Sequence, residues 1–508
     1  DMMKKIEQTL NDVSNNLQST ENGALGYKTA GKALVDINFR VPSMRQKVTR
    51  DDVMLFRKAM EENLEYAIKW LFFVRDVRFG LGERNAFVKL FGEFYIQHQE
   101  EATKVLDLIS EYGRWKDVVD IAFSTTSNNL KDSCFSIIKD QLVKDINSLT
   151  RGESVSLLGK WLPSINASKG ARVRGRELCE YLGVTFGIYR KMLSRLRSYL
   201  DVTEVKTCGN QWEEIDYNKV SSNANLRYSD AFLRHDQERR SQYLKDLLNP
   251  EKTGVKMNAG DLYPYEIWSK YTEEYYGSAR ELNDGYEAMW NNLKDMGTTG
   301  NTMCICDGSG SMTISVSGKV KAIDVSRSLS VYFAERCEGE YKNRFIEFSA
   351  NPHFIDINDC ETLFEKINKV AKYHDCSNTN LEKVFDLILK TAVDNGMKQS
   401  DLPERLLVVS DMEFDQACSS NSYYSTLFDV IGEKYKTHGY KLPKLVFWNV
   451  NSRTNTIPVQ VNELGVILIS GFSVNLVKMV MSNQTDPWLC LKEILDSDRY
   501  KAIGERHQ

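Results

Sequence analysis

The stretch DGSGSM places one carboxylate, Asp307, and two hydroxyls, Ser309 and Ser311, at alternate positions of a glycine-rich turn. Two later segments offer matching chemistry. The polar run HDCSNTN ends near Thr379, and VVSDMEFD carries Asp411 directly after an apolar run. All five side chains present hard oxygen, with no thiolate or imidazole among them. Such a set suits Mg²⁺, or Mn²⁺ or Ca²⁺ in its place, with water completing the coordination shell. Two carboxylates and three hydroxyls leave a position that a partner's carboxylate could fill. Other chemistries that use such turns fit less well. A phosphate-binding loop needs Gly-Lys-Ser/Thr at its end, and no such triplet occurs. A serine nucleophile needs a histidine base, and neither His353 nor His374 sits in a recognisable partner motif. A phosphatase of the Asp-first type needs a second Asp two residues on, where Ser309 stands. With no general base beside the metal loops, no catalytic residue is assigned and no enzyme is expected.

Three loops meet only if the intervening elements bring them to one edge. From about residue 298 onward, short apolar runs alternate with amphipathic segments. TMCIC, NRFIEFS, PHFIDI, ERLLVVSDM, KLVFWNV and LGVILISG read as strands, with the second and third paired. VKAIDVSRSLSVYFAERC, ETLFEKINKVAKY, NLEKVFDLILKTAVDNG and STLFDVIGEKYKTHG read as helices. This alternation predicts an open, mostly parallel α/β sheet of Rossmann-like type. Ligands of such sheets bind outside the carboxyl ends of the strands, where Asp307 and Asp411 fall. Residues 2 to about 296 show helical spacing and almost no strand signal, as in DDVMLFRKAMEENLEYAIKWLFFVRDV. Many short helices broken by RFGLGE, EYGRWKD and LPSINASKG predict an all-α, HEAT-like array of helix pairs, able to close into a ring. The predicted domains are therefore 1–297 helical, 298–485 α/β, and a C-terminal helix in 486–508 that packs back on the helical domain.

The chain of 508 residues carries a net charge of −4 and is 42% hydrophobic, an ordinary globular balance. No apolar run reaches the length of a membrane span, and the start DMMKKIEQTL lacks a signal h-region. The 10 Cys are scattered without CxxC pairs, which predicts reduced thiols and a cytoplasmic protein. Balanced overall charge hides one island. Residues 151–200 hold ten basic and three acidic residues. Lys160, Lys169, Arg172, Arg174, Arg176, Arg190, Lys191, Arg195 and Arg197 are interleaved there with Trp161, Tyr181, Phe186, Tyr189 and Tyr199. Cations beside aromatics suit single-stranded RNA through phosphate contact and base stacking. A solvated helix face over an aromatic core is the plainer alternative. Arg75, Arg78 and Arg84 form a second, weaker set.

The order Asp-x-Ser-x-Ser, then Thr, then Asp resembles the metal-ion-dependent adhesion site of von Willebrand factor A domains. In this sequence Met412 stands where that family usually has glycine, and Asn378 where glycine is common. A helical half before an A-type half is similar to TROVE-type proteins, the family of the Ro autoantigen. FVRDVRFGLGERNAF, YGRWKDVV and GKWLPSINAS resemble a scattered branch of that architecture, bacterial or viral. The resemblance implies a ribonucleoprotein scaffold. RNA 3′ ends would enter a helical ring, small structured RNA would bind its basic outer surface, and the A domain would hold Mg²⁺. It implies a monomer that binds no membrane. The alternative is a metal-dependent protein–protein adaptor without RNA.

Overall fold

The computed structural model describes residues 2–21, 23–272, 277–373, 380–414, 427–452, 454–455, 458, 466–484 and 486–508. The chain forms two compact units. One comprises residues 1–67 and 260–499, the other residues 68–259 and 500–508. Among the described residues no helix is long and apolar enough to cross a membrane.

The first unit is built on a six-stranded sheet. Its strands are β1 (Thr302–Asp307), β2 (Arg344–Phe348), β3 (Pro352–Asp356), β4 (Arg405–Ser410), β5 (Lys444–Asn449) and β6 (Val466–Ser470). The spatial order is β3-β2-β1-β4-β5-β6. All neighbours are parallel except β2 and β3, which pair antiparallel through a short turn. That is the mixed, doubly wound sheet the alternation of runs predicts. β1, β4, β5 and β6 are buried along nearly their whole length, as strands covered on both faces must be. Alternate residues go to opposite layers. Met303 and Ile305 join a core with Val384, Phe385, Phe428 and Ile431, from the Leu381–Asp394 and Leu427–Thr437 helices. Cys306 faces the other way, its sulfur 3.0 Å from Ser326 Oγ on the Ala322–Arg336 helix. That helix buries 13 consecutive residues.

The sequence expectation placed residues 1–67 and 260–297 with the helical half. The structure places them in the sheet unit instead. Leu17–Ser19 and Leu25–Tyr27 form a small antiparallel hairpin, a departure from the all-α reading. Ala24, Ala30, Val35 and Phe39 extend the core beneath the sheet. Asn449 Nδ2 donates to the Phe39 carbonyl at 2.6 Å, and Ser470 Oγ donates to that of Asn38. The physical reason is simple. Amphipathic spacing shows that a helix has a buried face but not what covers it.

The second unit is helical. Trp115–Ser124 packs beside Asn128–Thr150, and Ser222–His235 beside Gln237–Asp246. Phe72, Phe87, Phe91, Phe94 and Tyr112 form edge-to-face and tilted pairs in one part of its core. The expected C-terminal helix is two elements. Pro487–Leu495 belongs to the sheet unit, whereas Lys501–His507 belongs to the helical one. There Arg506 forks onto Asp107 at 2.9 and 3.0 Å.

Candidate metal centre and basic face

β1 and β4 are adjacent and parallel, and the connections leaving them run to opposite sides of the sheet. A crevice opens at such a switch point, outside the carboxyl ends of the strands. Asp307 ends β1 and Asp411 follows β4, so both lie at this crevice. Both are fully buried. Asp307 Oδ1 accepts from the Ser309 amide at 2.9 Å, which folds the Gly-rich turn around the carboxylate. The Ser309 and Ser311 hydroxyls are 3.1 Å apart. Thus the structure brings Asp307, Ser309, Ser311 and Asp411 to one place. Thr379 lies outside the described residues.

Burial first, and then the neighbouring Asp411 carboxylate, push the Asp307 carboxyl up to about 7. Two buried, mutually repelling carboxylates beside two hydroxyls are the donor set a hard divalent cation would satisfy. The residues therefore fit the group that the motif implies.

Two supports of this site escaped sequence reasoning. Ser410 Oγ donates to Asp307 Oδ2 at 2.5 Å and accepts from the Met412 amide at 3.0 Å, tying the first loop to the third. Glu413 is fully buried. Its carboxylate accepts from the Ser452 hydroxyl at 3.1 Å, the Thr454 amide at 2.9 Å and the Glu21 amide at 2.8 Å. Thr20 Oγ1 donates to the adjacent Phe414 carbonyl at 2.5 Å. The N-terminal hairpin thereby buttresses the loop that carries Asp411. A sequence signal existed only for Glu413, a second carboxylate where apolar strand gives way to loop. Met412 takes a left-handed backbone, with φ of 64°. Glycine adopts that conformation without strain, and the motif resemblance implies glycine here. Gly308 is required for a different reason. A Cβ there would lie 2.6 Å from Glu347 Oε1. Glu347 cannot swing away, because Arg327 grips it through Nε at 3.0 Å and Nη2 at 2.6 Å in a buried fork.

The basic island divides on inspection. It spans two consecutive helices of the helical unit, Lys169–Leu182 and Phe186–Tyr199. Ser168 and Thr185 cap them by accepting from the Ala171 and Ile188 amides. Lys169, Arg172, Arg174, Arg176, Arg190, Lys191 and Arg195 are all exposed. None of these seven pairs with a carboxylate among the described residues. Val173, Phe186, Ile188 and Tyr199 are exposed among them, at 60%, 44%, 56% and 43%. Arg176 lies over the Phe186 ring and Arg174 over Phe123.

The other cations of the sequence reading behave differently. Arg75 is not available to RNA. It is buried and forks onto Asp117 at 2.7 and 3.2 Å. Arg197 is likewise committed. Its Nε, Nη1 and Nη2 donate to the Gly159 carbonyl, Ser164 Oγ and the Leu162 carbonyl at 2.9, 2.6 and 2.8 Å. Spacing shows the charge of Arg75 and Arg197 but not its direction. Lys160, Arg78 and Arg84 face Glu204, Glu111 and Asp120 at 3.4, 3.7 and 3.2 Å. Tyr189 is core, its hydroxyl donating to the Pro163 carbonyl at 2.8 Å.

Residues 301–493 match the model of a domain of unknown function, DUF7788, and residues 129–299 match that of a second, DUF2828. An uncharacterized protein of Acanthamoeba polyphaga mimivirus is 29% identical over 516 residues, covering 95% of this chain and 87% of that protein. Among solved structures, the crystal structure of the Deinococcus radiodurans Ro (RSR) protein aligns with a TM-score of 0.41 at 12% identity. That alignment covers 84% of this chain and 92% of that one.

Proposed function

We propose that the protein is a non-catalytic RNA-binding scaffold whose basic helix pair holds single-stranded RNA and whose A-type α/β unit holds a divalent cation. One observation carries the reading. Seven exposed Lys and Arg side chains on two consecutive helices have no carboxylate partner among the described residues. On an ordinary solvated face, opposite charges intersperse and pair. An unpaired cationic face with exposed Phe186 and Tyr199 instead suits phosphates and unstacked bases. The order of a helical half before a metal-type half, which the motif resemblance picks out, points the same way.

The test is fluorescence anisotropy with a labelled 20-nucleotide uridine RNA across a salt series. Affinity should fall steeply with salt. The variant Arg172→Glu/Arg174→Glu/Arg176→Glu should bind at least about a hundredfold more weakly, since each lost phosphate contact is worth about 1 kcal/mol and each new carboxylate repels. Equal binding by wild type and variant would refute the assignment. A second reading rests on the buried carboxylate pair of Asp307 and Asp411. In it the cation recruits a protein carboxylate, and RNA affinity would not exceed that of a neutral control. Asp307→Ala should then lose both Mg²⁺ heat in calorimetry and the chelator-sensitive partner. Under the RNA reading it loses the heat alone.

A further inference from the structure

A cleft of about 750 Å³ opens between the loop that precedes the Lys169–Leu182 helix and the Phe186–Tyr199 helix. Its volume lies within the range of small-molecule sites. Its floor is fixed. Arg197 clamps the loop through Gly159, Leu162 and Ser164, and Tyr189 clamps it through Pro163. Those bonds use three of the five Arg197 N–H donors and leave its charge beneath the cleft. They also leave the Ser164 hydroxyl, which accepts from Arg197, with its own proton to donate.

The lining is mixed in chemistry. Ile165, Leu193 and Val205 are its apolar members. Arg190, Lys191 and Ser194, on the same helix as Leu193, are its cationic and hydroxyl members, all exposed. Neither cation has a carboxylate partner among the described residues. Arg190 is nonetheless held in place by a neutral group. With its amide turned so that both groups are satisfied, the Asn166 oxygen accepts from Arg190 Nε and Nη2 at 3.0 and 2.9 Å. The guanidinium is thus oriented without being neutralised. A rigid floor and a lining of cationic, hydroxyl and apolar members together match a planar base joined to a phosphate.

We propose that this cleft is a binding site for one phosphorylated nucleotide, its phosphate on Arg190, Lys191 and Ser194 and its base against Ile165, Leu193 and Val205. The inference deepens the RNA-binding reading and rests on it for the class of ligand. It assigns the cleft the terminal nucleotide and leaves the exposed face around Arg172, Arg174 and Arg176 to follow the backbone. Calorimetry on the full chain with three probes tests it: 5′-phosphorylated uridine dinucleotide, the same dinucleotide without the phosphate, and inorganic phosphate. The phosphorylated dinucleotide should bind at least about tenfold more tightly than either other probe, the equivalent of about 1.4 kcal/mol. Ser194→Glu, an exposed substitution that sets a carboxylate on the rim, should lose that binding by about tenfold or more with an unchanged melting curve. Arg172→Glu/Arg174→Glu/Arg176→Glu, outside the cleft, should keep it within about threefold. Equal binding of the two dinucleotides, equal binding of inorganic phosphate, or wild-type affinity in Ser194→Glu would each overturn the proposal. If the dinucleotide fails to bind while the 20-nucleotide RNA still binds through Arg172, Arg174 and Arg176, the cleft assignment falls and the RNA reading stands. If the dinucleotide binds and the long RNA does not, the RNA reading falls and the cleft is a mononucleotide site.

Discussion

Replacing Arg75 separates a structural cation from a binding one. The guanidinium has only 4% of its side-chain surface exposed, and Asp117 has none. Asp117 also accepts from the Arg114 amide at 2.7 Å, which caps the Trp115–Ser124 helix. Gly113 lets the chain pass this pair, since a Cβ there would lie 2.2 Å from Asp117 Oδ2. In Arg75→Ala the carboxylate keeps one backbone donor and loses its counter-charge. Breaking a buried pair from one side costs about 3–5 kcal/mol. Asp117→Ala should cost about 1 kcal/mol more, because the cap goes as well. Arg75→Met with Asp117→Leu removes both charges at similar volume and should recover most of the loss. Urea melts followed by circular dichroism read the loss of helix. With a slope of about 2 kcal/mol per molar, Arg75→Ala should lower the midpoint by about 2 M. RNA affinity, measured where the variant is folded, should stay within about twofold of wild type. A midpoint moved by less than about 0.3 M, or RNA binding lost from folded protein, would refute this account.

Two further outcomes follow from other buried groups. Burial pushes the Asp36 carboxyl up to about 6, against opposing bonds from Thr29 Oγ1 and the Ala30 amide at 2.6 Å. Between about pH 4 and pH 6 the folded chain therefore holds a proton that the unfolded chain has released. Stability should fall by up to about 3 kcal/mol as pH rises through that window, and Asp36→Asn should flatten the fall; a variant that keeps the full slope in its urea midpoints would sink the assignment. Gly308→Ala drives a methyl into Glu347, which Arg327 holds still. It should cost about 1–3 kcal/mol and weaken Mg²⁺ binding in calorimetry, whereas wild-type values for both would show that the turn has room to move.

How much of this was legible in the sequence depends on what each pattern encodes. The succession of strands and helices and the turn were legible because they are local. TMCIC followed by DGSGSM specifies a buried strand ending in a tight, oxygen-rich turn, and the structure places Asp307 and Asp411 at the ends of neighbouring strands. The supports were not legible because they are distant in sequence. Glu21 reaches Glu413 across 392 positions, and Asn449 reaches Phe39 across 410. Nothing in the spacing of DDVMLFRKAM shows that the segment before it closes the core of a sheet that begins at Thr302. The basic residues show the same limit from the other side. Arg172, Arg174 and Arg176 look like Arg75 and Arg197 in composition. They differ in whether a carboxylate or a carbonyl waits within reach. Arg75 meets Asp117 and Arg197 meets three loop oxygens, so each is spent on the fold. Under the proposed reading, binding capacity is the charge left over after folding, and the Lys169–Leu182 and Phe186–Tyr199 helices carry seven exposed cations of that kind. A count of Lys and Arg sees the total. Only the pairing shows the remainder, which is why Arg75 and Arg172 read alike in the sequence and differ in the fold.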